Sequence, residues 1–262
     1  MPHLLNIWSV ISRQLASSPR VLLIFDYDGT LTPISTRLET DRLTDKAHKC
    51  LRRLAEKDRF IVGVVSGREF TELEKLVGIP GLVYVGNHGL EMRGLGMDFV
   101  HPDASGSIES MNEVAGLLKK ELNYVPELLI HDRKLSLSIC IRNTSNLYAQ
   151  EVYRMVMSVL DPYVSAGDMK ISRGKRIFEV RPNIDCGKGE AIRRIYQDCG
   201  DKPVTMFFGD DRDDEDGFAV VQDLNGIAVC IGPPRQDTKA LHQLDSPNEV
   251  EKVLELLEDL NF

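Results

Sequence analysis

The chain twice runs a short, largely apolar segment into carboxylates, in "VLLIFDYDGT" from Val21 and in "VTMFFGDDRDDEDG" from Val204. An apolar run of this length, bounded by turn residues, reads as a strand buried on both faces, the kind found in parallel sheets covered by helices. In such sheets the carboxyl ends of the strands form the ligand crevice. Both acid groups are therefore expected at one edge of one sheet. Carboxylates gathered there repel one another by on the order of several kcal/mol at intermediate dielectric. A hard cation with all-oxygen ligands, Mg2+ above all, relieves that repulsion and usually shares its coordination with a substrate phosphate.

The segments around these runs set the topology. A helical pattern carries Ala47, Cys50, Leu51, Leu54 and Ala55 on one face; "FIVGVVSGR" follows as a second strand, a short helix runs through Leu73, Leu76 and Val77, and "LVYVGNHG" is a third strand. This β-α-β-α-β order predicts a parallel sheet. The pattern then changes to a hairpin in "GLEMRGLGMDFVHP", with its turn near Gly94 and Gly96, and a helix in "SIESMNEVAGLLKKEL". From Leu135 to Ile141 apolar residues alternate strictly, which predicts an antiparallel strand with one face open to water. A helix through Val152, Met155, Val156 and Val159 and the strands "DMKIS" and "RIFEV" complete an inserted α+β section. After Arg181 and Pro182 the first rhythm resumes with a helix in "GKGEAIRRIYQDCG", the strands "VTMFFGDD" and "GIAVCIG", and a last helix through Val250, Val253, Leu254 and Leu257. The expected organisation is a core of residues 1–101 and 182–262, interrupted by an inserted domain at 102–181.

A net charge of −8 over 262 residues argues against a nucleic-acid partner, whose binding surfaces are basic. The five cysteines lack C-x-x-C spacing, which signals neither a zinc site nor a disulfide framework and suits a cytoplasmic protein. "HLLNIWSVISRQLASSP" breaks its apolar residues with Asn6, Ser9, Arg13 and Gln14, so it reads as an amphipathic helix rather than a secretion signal. No segment is apolar for long enough to span a bilayer, and no membrane partner is expected.

Taken alone, Asp26 and Asp28 suit a strand-end cap and an Asp-Gly turn as well as a reaction. A calcium loop is excluded for "DDRDDEDG": a register with its glycine at Gly217 puts Arg212 in the first ligand position and Asp223, not a glutamate, in the twelfth. The acids gain a chemistry from their company. "DYDGT" matches the D-x-D-G-T signature of the haloacid dehalogenase superfamily of phosphohydrolases, and Ser66 after the second strand, Lys188 before a helix and "GDDRDD" after a later strand follow in the superfamily's order. Within that superfamily "SGR" at Ser66 to Arg68, "GNHGLE" at Gly86 to Glu91, "KRIFEVRP" at Lys175 to Pro182 and "GDDRDDEDGF" at Gly209 to Phe218 resemble the trehalose-6-phosphate phosphatases, and the resemblance runs from about Val21 to the end. The fold it implies is α/β, a haloacid dehalogenase-like Rossmannoid core with a parallel sheet plus an inserted α+β cap.

The resemblance also implies a mechanism. Asp26 would be the nucleophile and form an aspartyl-phosphate. Asp28 would protonate the departing sugar oxygen and then take a proton from water. Mg2+ would be held by the Asp26 side chain, the Asp28 carbonyl and Asp210, with Asp211 and Asp214 capping the following helix or orienting metal-bound waters. Ser66 would donate to a phosphoryl oxygen and Lys188 would supply fixed positive charge. Arg68, Asn87 and His88 fall on the substrate side. Lys175 and Glu179 would read sugar hydroxyls, with Arg133 and Arg142 as further candidates in the cap. From the residues alone, Ser66-Gly67 also suits a turn, Lys188 a solvated lysine, Asn87-His88 a strand-end turn, and Lys175 with Glu179 a surface pair.

The chain departs from the family in the cap. Many members carry Glu-x-Lys entering the strand before Arg142, and His-Tyr-Arg at its end; here stand His131, Asp132 and Arg133, and Cys140, Ile141 and Arg142. Basic character persists at Arg133, and the carboxylate register does not. Other capped sugar-phosphate phosphatases, acting on sucrose phosphate or a glycosyl phosphoglycerate, therefore stand beside trehalose 6-phosphate as readings. A non-catalytic sugar-phosphate sensor is the alternative of another class, and the intact Asp26, Asp28, Lys188 and Asp210 oppose it. The expected partner is a small sugar phosphate, with a trehalose-6-phosphate synthase as functional associate.

Overall fold

Every residue of β1 (Val21–Asp26) is buried, and its side chains alternate between two cores as the strand period of two requires. Val21, Leu23 and Phe25 join one core, Leu22 and Ile24 the other. By the same alternation Asp26 turns toward the second side. The computed structural model describes residues 1–34, 42–174 and 176–260, in two units: Met1–Phe99 with Cys186–Phe262, and Val100–Asp185. In the first, α1 (Trp8–Ala16) precedes β1, and α2 (Asp45–Ala55), β2 (Phe60–Val65), α3 (Phe70–Val77) and β3 (Val83–Gly86) follow it. The Thr44 hydroxyl caps α2 by accepting the Ala47 amide at 3.0 Å. A hairpin of β4 (Glu91–Gly94) and β5 (Met97–Val100) comes next, with β4 antiparallel to β3.

The second unit holds α4 (Ile108–Glu121), β6 (Leu129–Asp132), β7 (Leu137–Cys140), α5 (Asn146–Ser165), β8 (Met169–Gly174) and β9 (Ile177–Pro182). Its sheet is antiparallel, in the order β6-β7-β9-β8. Met111, Val114 and Leu118 of α4 and Val152, Val156 and Leu160 of α5 share a core with Leu137, Ile139, Phe178 and Val180. The alternation in β7 thus marks the core face correctly, but its other face is not open to water. Ser136 and Ser138 are 0% exposed and Cys140 2%. β7 is an inner strand, and Ser138 donates to Glu179 of β9 at 2.9 Å, so polar side chains rather than solvent meet that face. Arg142 lies beyond the end of β7, not within it.

The chain returns to the first unit with α6 (Lys188–Asp198), β10 (Val204–Gly209), α7 (Glu215–Asp223), β11 (Ile227–Ile231), β12 (His242–Leu244) and α8 (Pro247–Glu258). The sheet order is β12-β11-β10-β1-β2-β3-β4-β5, parallel from β12 to β3. The core that takes Leu23 and Phe25 also contains Leu15 of α1, Leu51 of α2, Leu73 of α3 and Leu254 of α8. The opposite core contains Ile192 of α6 and Phe218 of α7. Three layers result, with the sheet in the middle. No helix among the described residues is long and apolar enough to cross a membrane.

Candidate active site

β1 and β10 are parallel neighbours with Phe25 opposite Phe208, so Asp26, the last residue of β1, and Asp210, the first beyond β10, stand at the same edge of the sheet. After β1 the chain turns at once: the Gly29 amide donates to the Thr32 carbonyl at 2.8 Å and the Thr32 amide to the Tyr27 carbonyl at 3.0 Å. Gly29 has a φ of +99°, and a Cβ there would overlap the Asp210 carboxylate. Backbone conformation and close approach both require glycine.

Lys188 begins α6 and is 4% exposed. Its Nζ lies 2.6 Å from Oδ1 of Asp26 and 2.6 Å from Oδ1 of Asp214. Asp214, fully buried, closes a short turn at Arg212–Asp214, and its Oδ2 accepts the amides of Asp210 at 2.9 Å and Asp211 at 3.1 Å. The Asp211 carboxylate accepts the Asp213 amide at 2.8 Å.

Carboxylate oxygens of Asp26, Asp210 and Asp214 lie within 4.8 Å of one another. One ammonium faces three acids, and their proton affinities show the imbalance. Burial pushes Asp26 well above the usual carboxylate range against the pull of Lys188, and the charges of Asp214 and Asp210 add to the rise. Burial, then the charges of Asp214 and Asp211, push Asp210 up to about 8. Burial takes Asp214 to about 6 despite Lys188. Burial would lower Lys188, but Asp214 and Asp26 outweigh it and hold the ammonium well above its ordinary value. A crowded, largely buried, under-neutralised set of hard oxygen donors fits Mg2+.

Ser66 follows β2 and Arg68 lies two residues on. The Ser66 hydroxyl accepts the Arg68 amide at 3.1 Å and points at Oδ2 of Asp28, 3.4 Å away. The Arg68 guanidinium, 1% exposed, donates through Nε to Oδ2 of Asp28 at 2.8 Å, through Nη2 to Oδ1 of Asp28 at 2.6 Å, and through Nη1 to Glu72. Asn87 and His88 are buried in left-handed backbone, with φ of 47° and 57°. The Asn87 amide donates to the Arg68 carbonyl at 2.7 Å and the His88 amide to the Ser66 carbonyl at 3.0 Å. Asn87 Nδ2 donates to Glu91, and His88 Nδ1 lies 3.6 Å from an Asp213 oxygen. Glu72 and Glu91 are missed by the sequence reading, because each sits four residues after its partner but neither pair lies within one helix, where that spacing would signal a contact.

Within the second unit Glu179 is 8% exposed, accepts the Ser138 hydroxyl and has Arg133 Nη1 3.5 Å from its other oxygen. Arg133 is 6% exposed and Arg142 half-buried. Lys175 lies outside the described residues.

A doubly covered parallel sheet that sets two acid-bearing strands side by side, with a lysine arriving on a helix between their carboxylates, defines a phosphatase of the haloacid dehalogenase superfamily. Comparison with known proteins narrows the class. The family model for Trehalose-phosphatase matches residues 24–248. A trehalose-phosphate phosphatase from Mycobacterium avium is 30% identical over 250 residues, 90% of this chain and 62% of that protein. Trehalose-phosphate phosphatase B of Arabidopsis thaliana is 26% identical over 270 residues, 98% of this chain and 71% of that protein. The C-terminal domain of the C. albicans trehalose-6-phosphate phosphatase superposes with a TM-score of 0.85 at 26% identity, covering 99% of this chain and 98% of that one. The chain belongs to the trehalose-phosphatase family and is a phosphatase enzyme.

Proposed function

We propose that the chain hydrolyses trehalose 6-phosphate in two displacements at phosphorus, with Mg2+ as cofactor. The observation that carries this reading is the Lys188 ammonium 2.6 Å from Asp26 inside a group of three carboxylates, those of Asp26 and Asp214 buried and that of Asp210 partly so. An Asp26 oxygen attacks phosphorus as the bond to the sugar oxygen breaks, leaving an aspartyl-phosphate. Asp28 gives a proton to the departing oxygen, then takes one from the water that attacks the aspartyl-phosphate; phosphate leaves and Asp26 is restored. Ser66 would turn its one hydroxyl proton from Asp28, 3.4 Å away, to a phosphoryl oxygen as the ester binds, and Lys188 holds positive charge beside the attacking carboxylate. The side chains of Asp26 and Asp210 and the Asp28 carbonyl would hold Mg2+, which when bound neutralises phosphate charge and aligns the ester for in-line attack. Asp214 keeps Lys188 and the amides of Asp210 and Asp211 in place.

Asn87 and His88 would serve the phosphate side, and Glu179, Lys175, Arg133 and Arg142 would read the sugar. Five free cysteines accord with a cytoplasmic setting, where a trehalose-6-phosphate synthase would supply the substrate. Phosphate release from trehalose 6-phosphate, sucrose 6-phosphate and a glucosyl phosphoglycerate, each with and without EDTA, tests the reading. The expected result is preference for trehalose 6-phosphate and loss of turnover with EDTA. Turnover indifferent to EDTA would remove Mg2+ from the account, and preference for another ester would replace the substrate.

A further inference from the structure

We propose that Arg68 is a positioning residue for Asp28, and that Glu72 in turn positions Arg68; the inference rests on the reading of Asp28 as the acid and base. An arginine at a phosphatase site ordinarily suggests a phosphate ligand. Here the side chain is used otherwise. One edge of the guanidinium, Nε with Nη2, grips both oxygens of Asp28 at 2.8 and 2.6 Å, and Nη1 is taken by Glu72 in the first turn of α3. Only 1% of the Arg68 side chain is exposed, against 32% for Asp28 and 38% for Glu72. The buried fork is thus the fixed member, and the more exposed Asp28 carboxylate takes its plane from it.

The surrounding backbone holds the fork in register. The Arg68 carbonyl accepts from Asn87 and the Ser66 carbonyl from His88, both in left-handed backbone. The Ser66 hydroxyl, accepting the Arg68 amide, has one proton left, and it points at Asp28. Asp28, Ser66 and Arg68 are therefore one hydrogen-bonded unit, and an error in the fork is felt first as a misdirected Asp28. A lysine keeps the charge and cannot present two parallel N–H groups.

The test compares leaving groups in a double-mutant cycle. Arg68→Lys should lower kcat/KM for trehalose 6-phosphate by about tenfold to a hundredfold, part of the range for a lost general acid. For p-nitrophenyl phosphate, whose anion leaves unassisted, the loss should be several times smaller. In an Asp28→Asn background Arg68→Lys should cost less than about twofold, because the residue it positions no longer acts. Glu72→Ala, which leaves the buried guanidinium in place, should move both substrates in the same pattern with a smaller amplitude, and it carries the cycle should Arg68→Lys fail to fold. Equal losses for the two substrates, or full losses in the Asp28→Asn background, would overturn the proposal and make Arg68 a ligand of phosphate or a structural ion pair. Asp28→Asn with undiminished turnover of trehalose 6-phosphate would overturn the acid and base reading itself, and this inference with it.

Discussion

Oδ1 of Asp26 and Nζ of Lys188 lie 2.6 Å apart, both nearly closed off from solvent, although 162 positions separate them in the chain. The contact joins the end of β1 to the start of α6. Asp214 approaches the same ammonium, so Lys188 also ties the turn after β10 to the end of β1. Lys188→Met should leave two buried carboxylates without a counter-charge, at a cost of about 3–5 kcal/mol. It should also lower kcat by about a hundredfold to a thousandfold, the scale of one lost transition-state donor. Thermal unfolding and turnover of the same preparation check both.

The crowded acids predict how stability depends on pH. Asp210 and Asp214 sit at about 8 and about 6 in the folded chain, and Asp26 is also raised. The folded state therefore holds protons that the unfolded state has released, so the stabilising contribution is complete at low pH and is lost as pH rises through the folded values. For metal-free protein the midpoint should fall between about pH 5 and pH 8 on this account. Mg2+ held by these carboxylates would compete with those protons, so the rise in midpoint it produces should be larger at pH 8 than at pH 5. Thermal scans with EDTA and with Mg2+ at the two pH values check it; an equal rise at both would mean that Mg2+ binds elsewhere.

Gly29 offers a test of the turn itself. Gly29→Ala places a Cβ against the Asp210 carboxylate at a φ of +99°, a backbone strain of about 1–3 kcal/mol before the overlap is counted. Asp210 must move. Mg2+ affinity, read by titrating activity against the metal, should fall at least about tenfold, the scale of a disturbed metal support. Unchanged affinity would place the metal away from Asp210.

Substrate choice should depend on the second unit. Glu179→Ala removes the carboxylate to which Ser138 donates and which Arg133 faces, and a lost buried hydrogen-bonding group costs about 1–3 kcal/mol, or roughly tenfold to a hundredfold in kcat/KM where the group reads sugar. Lys175→Ala should behave alike for trehalose 6-phosphate. Both should spare p-nitrophenyl phosphate. Equal losses for the two substrates would assign Glu179 to folding alone.

How much of this was legible in the sequence differs from residue to residue. The apolar runs before Asp26 and Asp210 read as buried strands of one sheet because they are short and bounded by turn residues, while their adjacency is seen only in the structure; Lys188 and Ser66 followed from their order in the family resemblance. Asp214 was harder. In "DDRDDED" no spacing tells which carboxylate turns inward; the short turn at Arg212–Asp214 decides it, burying Asp214 and leaving Asp211 as a cap. The alternation from Leu135 fixed the core face of β7 but could not show that Ser138 meets Glu179 rather than water, since that bond joins residues 41 positions apart. β12, three residues at the sheet edge, is too short to show a period. Arg68 was visible as a cation, yet its commitment to Asp28 depends on where β1 and β2 end relative to one another.

Covalent catalysis at Asp26 is measured most directly by quenching the enzyme in acid during turnover of trehalose 6-phosphate labelled in its phosphate. The account predicts label bound to the protein, stable in acid, released by hydroxylamine as an acyl phosphate must be, located on the peptide that contains Asp26, and absent from Asp26→Asn, which should not turn over. Full turnover with no bound label, or an Asp26→Asn enzyme that still releases phosphate, would contradict it.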